Sequence, residues 1–264
     1  MAGATRLVCL TEETTETLYL LGRADRICGI SGYTVRPPRA RREKPRVSAF
    51  TSADLDAIEA LRPDLVLAFS DLQGPIAAEL AERGLAVHLF NQRDVAGILA
   101  MIRTLGRLVD AGEAADRLAD GYARRLDAMR ADAPARRPRV YLEEWDEPMI
   151  CGIGWWSELT EIAGGVDVFA ERARAPGAAG RICAPADVVA AAPELVLASW
   201  CGKKVRPERI RARPGFDTVP AVRNDAIHEI KSPLILQPGP AALTDGLDAV
   251  RAAVRRAAEA GPSS

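Results

Sequence analysis

Between residues 110 and 131 the apolar positions Ala115, Leu118, Tyr122, Leu126 and Met129 recur at three- and four-residue steps, the spacing of one helix face. Asp116, Arg117, Asp120, Arg124, Arg125, Asp127 and Arg130 fill the rest of the surface, and Pro134 and Pro138 lie just beyond. The spacing predicts a helix over 110–131, with Asp110 as N-cap and Glu113 completing a capping box. At ~1.5 Å per residue such a helix reaches roughly 30 Å, enough to bridge two small lobes. The flanks repeat one plan. Residues 56–68 and 187–198 each give a short helix, a proline followed by an acid, and then Leu-Val-Leu-Ala. The fold class expected is therefore α/β, with Rossmann-like lobes over 1–109 and 133–264 joined by a single helix over 110–132.

The remaining pattern supplies the strands and helices of each lobe. Strands are expected at 7–10, 26–30, 47–50, 65–68 and 85–90, and helices at 18–21, 75–83 and 95–108. A polar run, Thr11 to Glu16, stands between the first strand and its helix. In the second half, strands are expected at 140–142, 195–198 and 226–230, and helices at 157–163 and 241–257. Acids follow the strand at 140–142, with Glu143, Glu144, Asp146 and Glu147 around Trp145, which echoes Glu12 and Glu13 after the first strand. In parallel α/β sheets the carboxyl ends of the strands are where ligands sit.

Composition narrows the function classes. The 264 residues are 48% hydrophobic and 27% charged, which suits a folded protein with real cores. With 35 Lys and Arg against 36 Asp and Glu, no global field draws the chain to nucleic acid or to a membrane. No stretch reads as a membrane span. The N-terminal residues run straight into an apolar strand, and the five cysteines lack a C-x-x-C pair, so the expectation is a reduced, cytoplasmic protein. Two histidines, His88 and His228, give no metal constellation, and no resident cofactor is expected.

All four tryptophans fall near predicted strand exits. Trp145, Trp155, Trp156 and Trp200 are read as flat faces for a ligand, with Tyr33 and Phe50 opposing them. Truncating Trp156 or Trp200 is then expected to weaken binding without unfolding the protein. Glu12, Glu13, Ser70, Glu144, Cys201, Ser232 and Gln237 complete the candidate ligand-binding set. Lys203 is expected to meet an acidic or amide-oxygen group, because the matching exit in the first half carries Asp71 instead. Acids beside aromatics also suit an organic cation. An enzyme would have to use Cys201, activated by Lys203, with the paired acids, and a carboxylate metal site would use Glu12, Glu13, Glu143 and Glu144. Neither is favoured, since no triad, phosphate loop or zinc spacing accompanies them.

The segments RLVCLTEETTETLYLLGRADRICGIS, KPRVSAFTSADLDAIEALRPDLVLAFSD, GIGWWSELTEIAGGVDVF and PGFDTVPAVRNDAIHEI together resemble the cobalamin-binding and iron-siderophore-binding proteins of ABC importers. The resemblance covers nearly the whole chain in order. It implies two lobes on one long helix, little closure on binding, and a small-molecule ligand such as cobalamin or a related corrinoid held between the lobes. Members that dock on a permease are exported and carry a surface glutamate on each lobe; Gly74 stands at the first of these positions, and Glu208 is a candidate for the second. So qualified, the resemblance describes a cytosolic relative that keeps the ligand cleft and has lost the docking.

Overall fold

A computed structural model describes residues 3–261 as two compact units. Of the described residues, the first takes 3–92 and 96–123 and the second 93–95 and 124–261, so the long helix Gly112–Ala131 contributes to both.

In the first unit the strands are β1 (Leu7–Cys9), β2 (Ile27–Ser31), β3 (Arg46–Ser48), β4 (Leu65–Phe69) and β5 (Val87–Phe90). They lie in the order β3-β2-β1-β4-β5, all parallel. A central parallel strand is covered on both faces, so its sequence is continuously apolar rather than alternating. β1 obeys this, with Leu7, Val8 and Cys9 all fully buried. One face of the sheet closes over Val8, Leu10, Val47, Ile58, Val66, Ala68 and Leu80.

The helix expected at 95–108 is present as Val95–Leu108. It meets the long helix through Gly106, where an added Cβ would lie 2.2 Å from the Ala115 Cβ. Arg103 bridges to Asp120 at 2.6 Å beside this contact. Helix propensity alone would make Gly106→Ala stabilising by ~1 kcal/mol, but Ala115 is fully buried and has nowhere to go. We expect Gly106→Ala to destabilise by ~1–3 kcal/mol, read as a lower urea midpoint. A higher midpoint would mean that the two helices slide apart at no cost.

The start of the long helix departs from expectation. It begins at Gly112, and Asp110 precedes it with φ of 51°, so Asp110 is not its N-cap. The Asp110 carboxylate instead accepts from the Gly3 amide at 2.8 Å and lies 3.7 Å from Arg26, anchoring the N-terminal segment. The polar run after β1 also differs: it is not a loop but the body of a helix, Glu12–Leu20. Short polar side chains there are buried, and Thr14, Thr15 and Thr17 return their hydroxyls to carbonyls three or four residues back.

The second unit contains β6 (Arg139–Asp146), β7 (Met149–Cys151), β8 (Val166–Asp167), β9 (Leu195–Ala198) and β10 (Ile227–Glu229). The order is β10-β9-β6-β7, with β8 also on β6. β7 is antiparallel to β6, and the other pairings are parallel. β6 is longer than the apolar run 140–142 suggests, because Glu143, Glu144 and Asp146 acquire partners and stay in the strand. The two Leu-Val-Leu-Ala strands occupy matching places: β4 pairs with β1 from Leu7↔Leu65, and β9 pairs with β6 from Val140↔Leu195. The repeat is thus one of topology as well as of sequence.

Candidate functional site

In a doubly wound sheet, the crevice for a ligand opens at the carboxyl ends of the two strands between which the chain reverses direction. In the first unit that switch point lies between β1 and β4. It is walled by Thr11 to Glu13 on one side and Ser70 to Gln73 on the other. Gln73 is fully buried and ties the edge together: its Oε1 accepts from the Phe69 amide at 2.9 Å, while its Nε2 donates to the carbonyls of Phe50 at 2.8 Å and Leu10 at 3.4 Å. One side chain therefore joins the exits of β1, β3 and β4. Ser70, at φ 66° and ψ 162°, holds a backbone conformation that is nearly reserved for glycine and costs ~1–3 kcal/mol. Its amide bonds the Phe90 carbonyl at 2.7 Å, and its hydroxyl accepts from the Leu72 amide at 3.3 Å.

The same edge displays apolar groups. Tyr33 and Leu72 are each 61% exposed, and Phe50 is half-buried. Tyr33 follows β2 where the Gly32 amide bonds the Ser48 carbonyl at 2.7 Å, so the exits of β2 and β3 are held side by side. Large side chains on a soluble surface beside a strained, rigidly braced turn are the arrangement expected of a contact surface for a ligand.

Below this edge lie carboxyls without a full set of partners. Glu12 accepts from the Val35 amide at 2.5 Å, and Glu13 from the Thr11 hydroxyl at 2.6 Å. Each keeps one buried oxygen, Oε1 of Glu12 and Oε2 of Glu13, with no hydrogen-bond partner. Burial pushes the Glu12 carboxyl up to about 8 and the Glu13 carboxyl up to about 7, and the neighbouring carboxylates add to this. From the basic loop, Arg36 pairs with Glu16 at 2.8 Å, and Arg39 lies over the Tyr19 ring at 4.8 Å.

The switch point of the second unit, between β6 and β9, is filled. Glu143, fully buried, takes both guanidinium nitrogens of Arg213 and also accepts from the Trp200 indole at 2.9 Å. Glu144 is held by Arg181, which also donates to the Cys151 carbonyl at 2.6 Å. Asp146 pairs with Lys203 and, at 2.8 Å, with Arg209, and these cations hold its carboxyl below the usual range. The echo between Glu12-Glu13 and Glu143-Glu144 is therefore one of position: Arg213 and Arg181 hold the second pair, while burial dominates at the first.

These placements correct several expectations. Trp155, Trp156 and Trp200 are 2%, 0% and 1% exposed. Trp200 packs in the apolar core with Tyr141 and Phe216, and the Trp155 indole donates to the Ile235 carbonyl at 2.7 Å. They offer no free face, because the helix expected at 157 begins at Gly154 and carries both Trp155 and Trp156 inward in its first turn. Trp145 is half-buried, with its ring 3.8 Å from the Lys203 ammonium. Lys203, expected to meet an acidic or amide-oxygen group of a ligand, is instead taken up by Asp146 and the Trp145 and Trp200 rings of its own unit. Cys201 is on the surface, but crowding at the sulfur and the nearby Glu144 carboxylate raise its pKa, opposite to what an activated nucleophile needs. Ser232 opens the short helix Ser232–Ile235 after β10 and Gln237 follows it, both half-buried. Among the described residues no three acids, cysteines or histidines are grouped to hold a metal ion. Sequence reasoning missed Gln73, Leu72, Arg181 and Arg213; only Leu72, an apolar residue between a turn and a helix start, left a local signal.

Residues 7–234 match the family model described as periplasmic binding protein. A vitamin B12-binding protein of Vibrio cholerae serotype O1 is 27% identical over 172 residues, which is 64% of this chain and 62% of that protein. The aligned region thus spans less than two thirds of that relative. Among solved structures, the periplasmic vitamin B12-binding protein of Vibrio cholerae superposes with a TM-score of 0.78 at 22% identity, covering 97% of this chain and 99% of the other. A periplasmic haem-binding protein from Pseudomonas aeruginosa gives 0.82 at 19% identity, covering 99% and 95%. At these identities the structural likeness is one of fold, two α/β lobes on a single long helix, and these relatives bind solutes rather than catalyse reactions. With the family model spanning most of its length, this chain belongs to the periplasmic binding protein family.

Proposed function

We propose that the protein binds a bulky, largely apolar small molecule of the corrinoid or haem class, and that the carboxyl edge of the first unit supplies much of the contact. The observation that carries this is the pairing of exposed Tyr33 and Leu72 with the edge braced by Gln73. Relatives named for vitamin B12 and for haem support the ligand class. Flat macrocycles gain most from aromatic and aliphatic surface held rigid before binding. Residence in the cytoplasm belongs to the same proposal, on the ground of free cysteines; recovery of the native protein from a periplasmic fraction would remove that part.

Titration with cyanocobalamin, with haemin and with a quaternary ammonium compound, followed by visible absorbance and calorimetry, tests the reading. Binding of a macrocycle is expected, and Tyr33→Ala together with Leu72→Ser should weaken it at least tenfold, about 1.4 kcal/mol, with an unchanged unfolding midpoint. Tight binding of the ammonium compound alone would favour a cation site instead. Unchanged macrocycle affinity in the double variant would place the contact elsewhere.

A further inference from the structure

Cys151 and Cys183 are distant in sequence and adjacent in the second unit. Cys151 ends β7, whose Ile150 forms an antiparallel bridge with Ile182, and the Cys183 amide donates to the Met149 carbonyl at 3.0 Å. Residues opposite one another in an antiparallel pair share a face, and so do residues two apart on one strand, so Met149, Cys151 and Cys183 point to the same side. That side is the interior. Cys151 is 1% and Cys183 5% exposed, both in the apolar core that holds Tyr141 and Trp200. The Tyr141 hydroxyl lies 3.5 Å from the Cys183 sulfur.

The two thiols are chemically unequal. A hydrogen bond from Cys151, another from Tyr141 and the positive charge of Arg172 hold the Cys183 thiol below its usual range against burial. Cys151, which would donate to the Cys183 thiolate, is correspondingly pushed up. Elsewhere burial drives thiols the other way: Cys9 is pushed up to about 12, and Cys28 and Cys201 are also raised. Reactivity follows thiolate character, so one cysteine of the five combines it with a neighbouring thiol.

We propose that Cys151 and Cys183 are a disulfide-forming pair, with Cys183 attacking a peroxide and Cys151 resolving the product. The Cys183 thiolate attacks one peroxide oxygen and the O–O bond breaks, giving a sulfenic acid and hydroxide, which takes the proton Cys183 has released and leaves as water. The Cys151 sulfur then attacks the sulfenic sulfur, the S–O bond breaks, and a second water leaves with the Cys151 proton. Two electrons pass from the sulfurs to one hydrogen peroxide molecule. Hydrogen peroxide is small enough to reach a thiol that a bulky disulfide reagent cannot. The bond would fasten β7 to the segment that follows Arg181, the residue that holds Glu144.

The test uses the full chain with Cys201→Ser, which removes the exposed thiol. After limiting hydrogen peroxide, alkylation of the denatured protein and digestion, the expected product is a Cys151–Cys183 peptide lighter by two hydrogens, with Cys9 and Cys28 alkylated. Closing a loop of about 30 residues should raise the thermal midpoint by roughly 5–10 °C, reversibly with dithiothreitol. With Cys151→Ser added, no rise is expected, and Cys183 should be captured by a sulfenic-acid reagent. Alkylation of both thiols after peroxide, or linkage of Cys183 to Cys9 or Cys28, overturns the assignment.

Discussion

Arg213→Met is expected to cost ~3–5 kcal/mol of stability, a larger loss than any surface ion pair would cause. Glu143 is fully buried and Arg213 only 11% exposed at its side chain, so water cannot replace the guanidinium. Removing it leaves the carboxylate with the Trp200 indole as its remaining side-chain donor in an apolar core. Removing the charge as well should restore much of the loss: a neutral amide in Arg213→Met with Glu143→Gln keeps an acceptor for Trp200 and no longer needs a counter-ion. Urea denaturation of wild type, single and double variants decides the matter. If the single variant loses under 1 kcal/mol, the pair is not the closed, dry contact described above. Trp200→Ala should fall in the same range, because it both empties core volume and strips a donor from Glu143.

That expectation reverses the reading of Trp200 reached from sequence, and the reversal shows where sequence reasoning stops. The helix Val95–Leu108 was legible from local periodicity, and the strands β4 and β9 with their repeat from apolar runs that follow a proline break. Whether a tryptophan after a strand faces solvent or core depends on residues far along the chain. Trp200 is inside because Glu143 and Arg213, 57 and 70 positions apart from their partners, complete its polar surroundings. The acids of β6 looked like a ligand edge for the same reason: their cations, Arg181, Lys203, Arg209 and Arg213, come from three other segments. Tyr33 and Phe50 stay at the edge, exposed and half-buried, because an aromatic residue at the end of a short strand has little core to enter. Gln73 was not, since its value lies in three backbone partners that no spacing reveals.

The acids after β1 lead to a result of opposite sign to ordinary acid denaturation. A carboxyl whose pKa is raised on folding binds more protons folded than unfolded, so stability falls as pH rises from the unfolded value toward the folded one. For Glu12 that window runs from 4.5 to about 8, and for Glu13 from 4.5 to about 7. The shift at Glu12 corresponds to something on the order of 4 kcal/mol lost across the window. Other groups overlap it: half-buried His88 and His228, with lowered pKa values, stabilise the fold as pH rises toward 6.5, whereas Asp167 and Glu158 act in the same direction as Glu12. The difference between wild type and Glu12→Gln is therefore the informative quantity. Glutamine keeps an oxygen for the Val35 amide and cannot ionise, so the variant should match wild type near pH 5 and exceed it in stability by several kcal/mol at pH 8. Parallel stability curves would show that Glu12 is already ionised at pH 5. Because Glu12 and Glu13 stand at the switch point of the first unit, a ligand that donates hydrogen bonds to the partnerless oxygens would bind their ionised forms better. Its affinity should then rise with pH over the interval in which the free protein weakens.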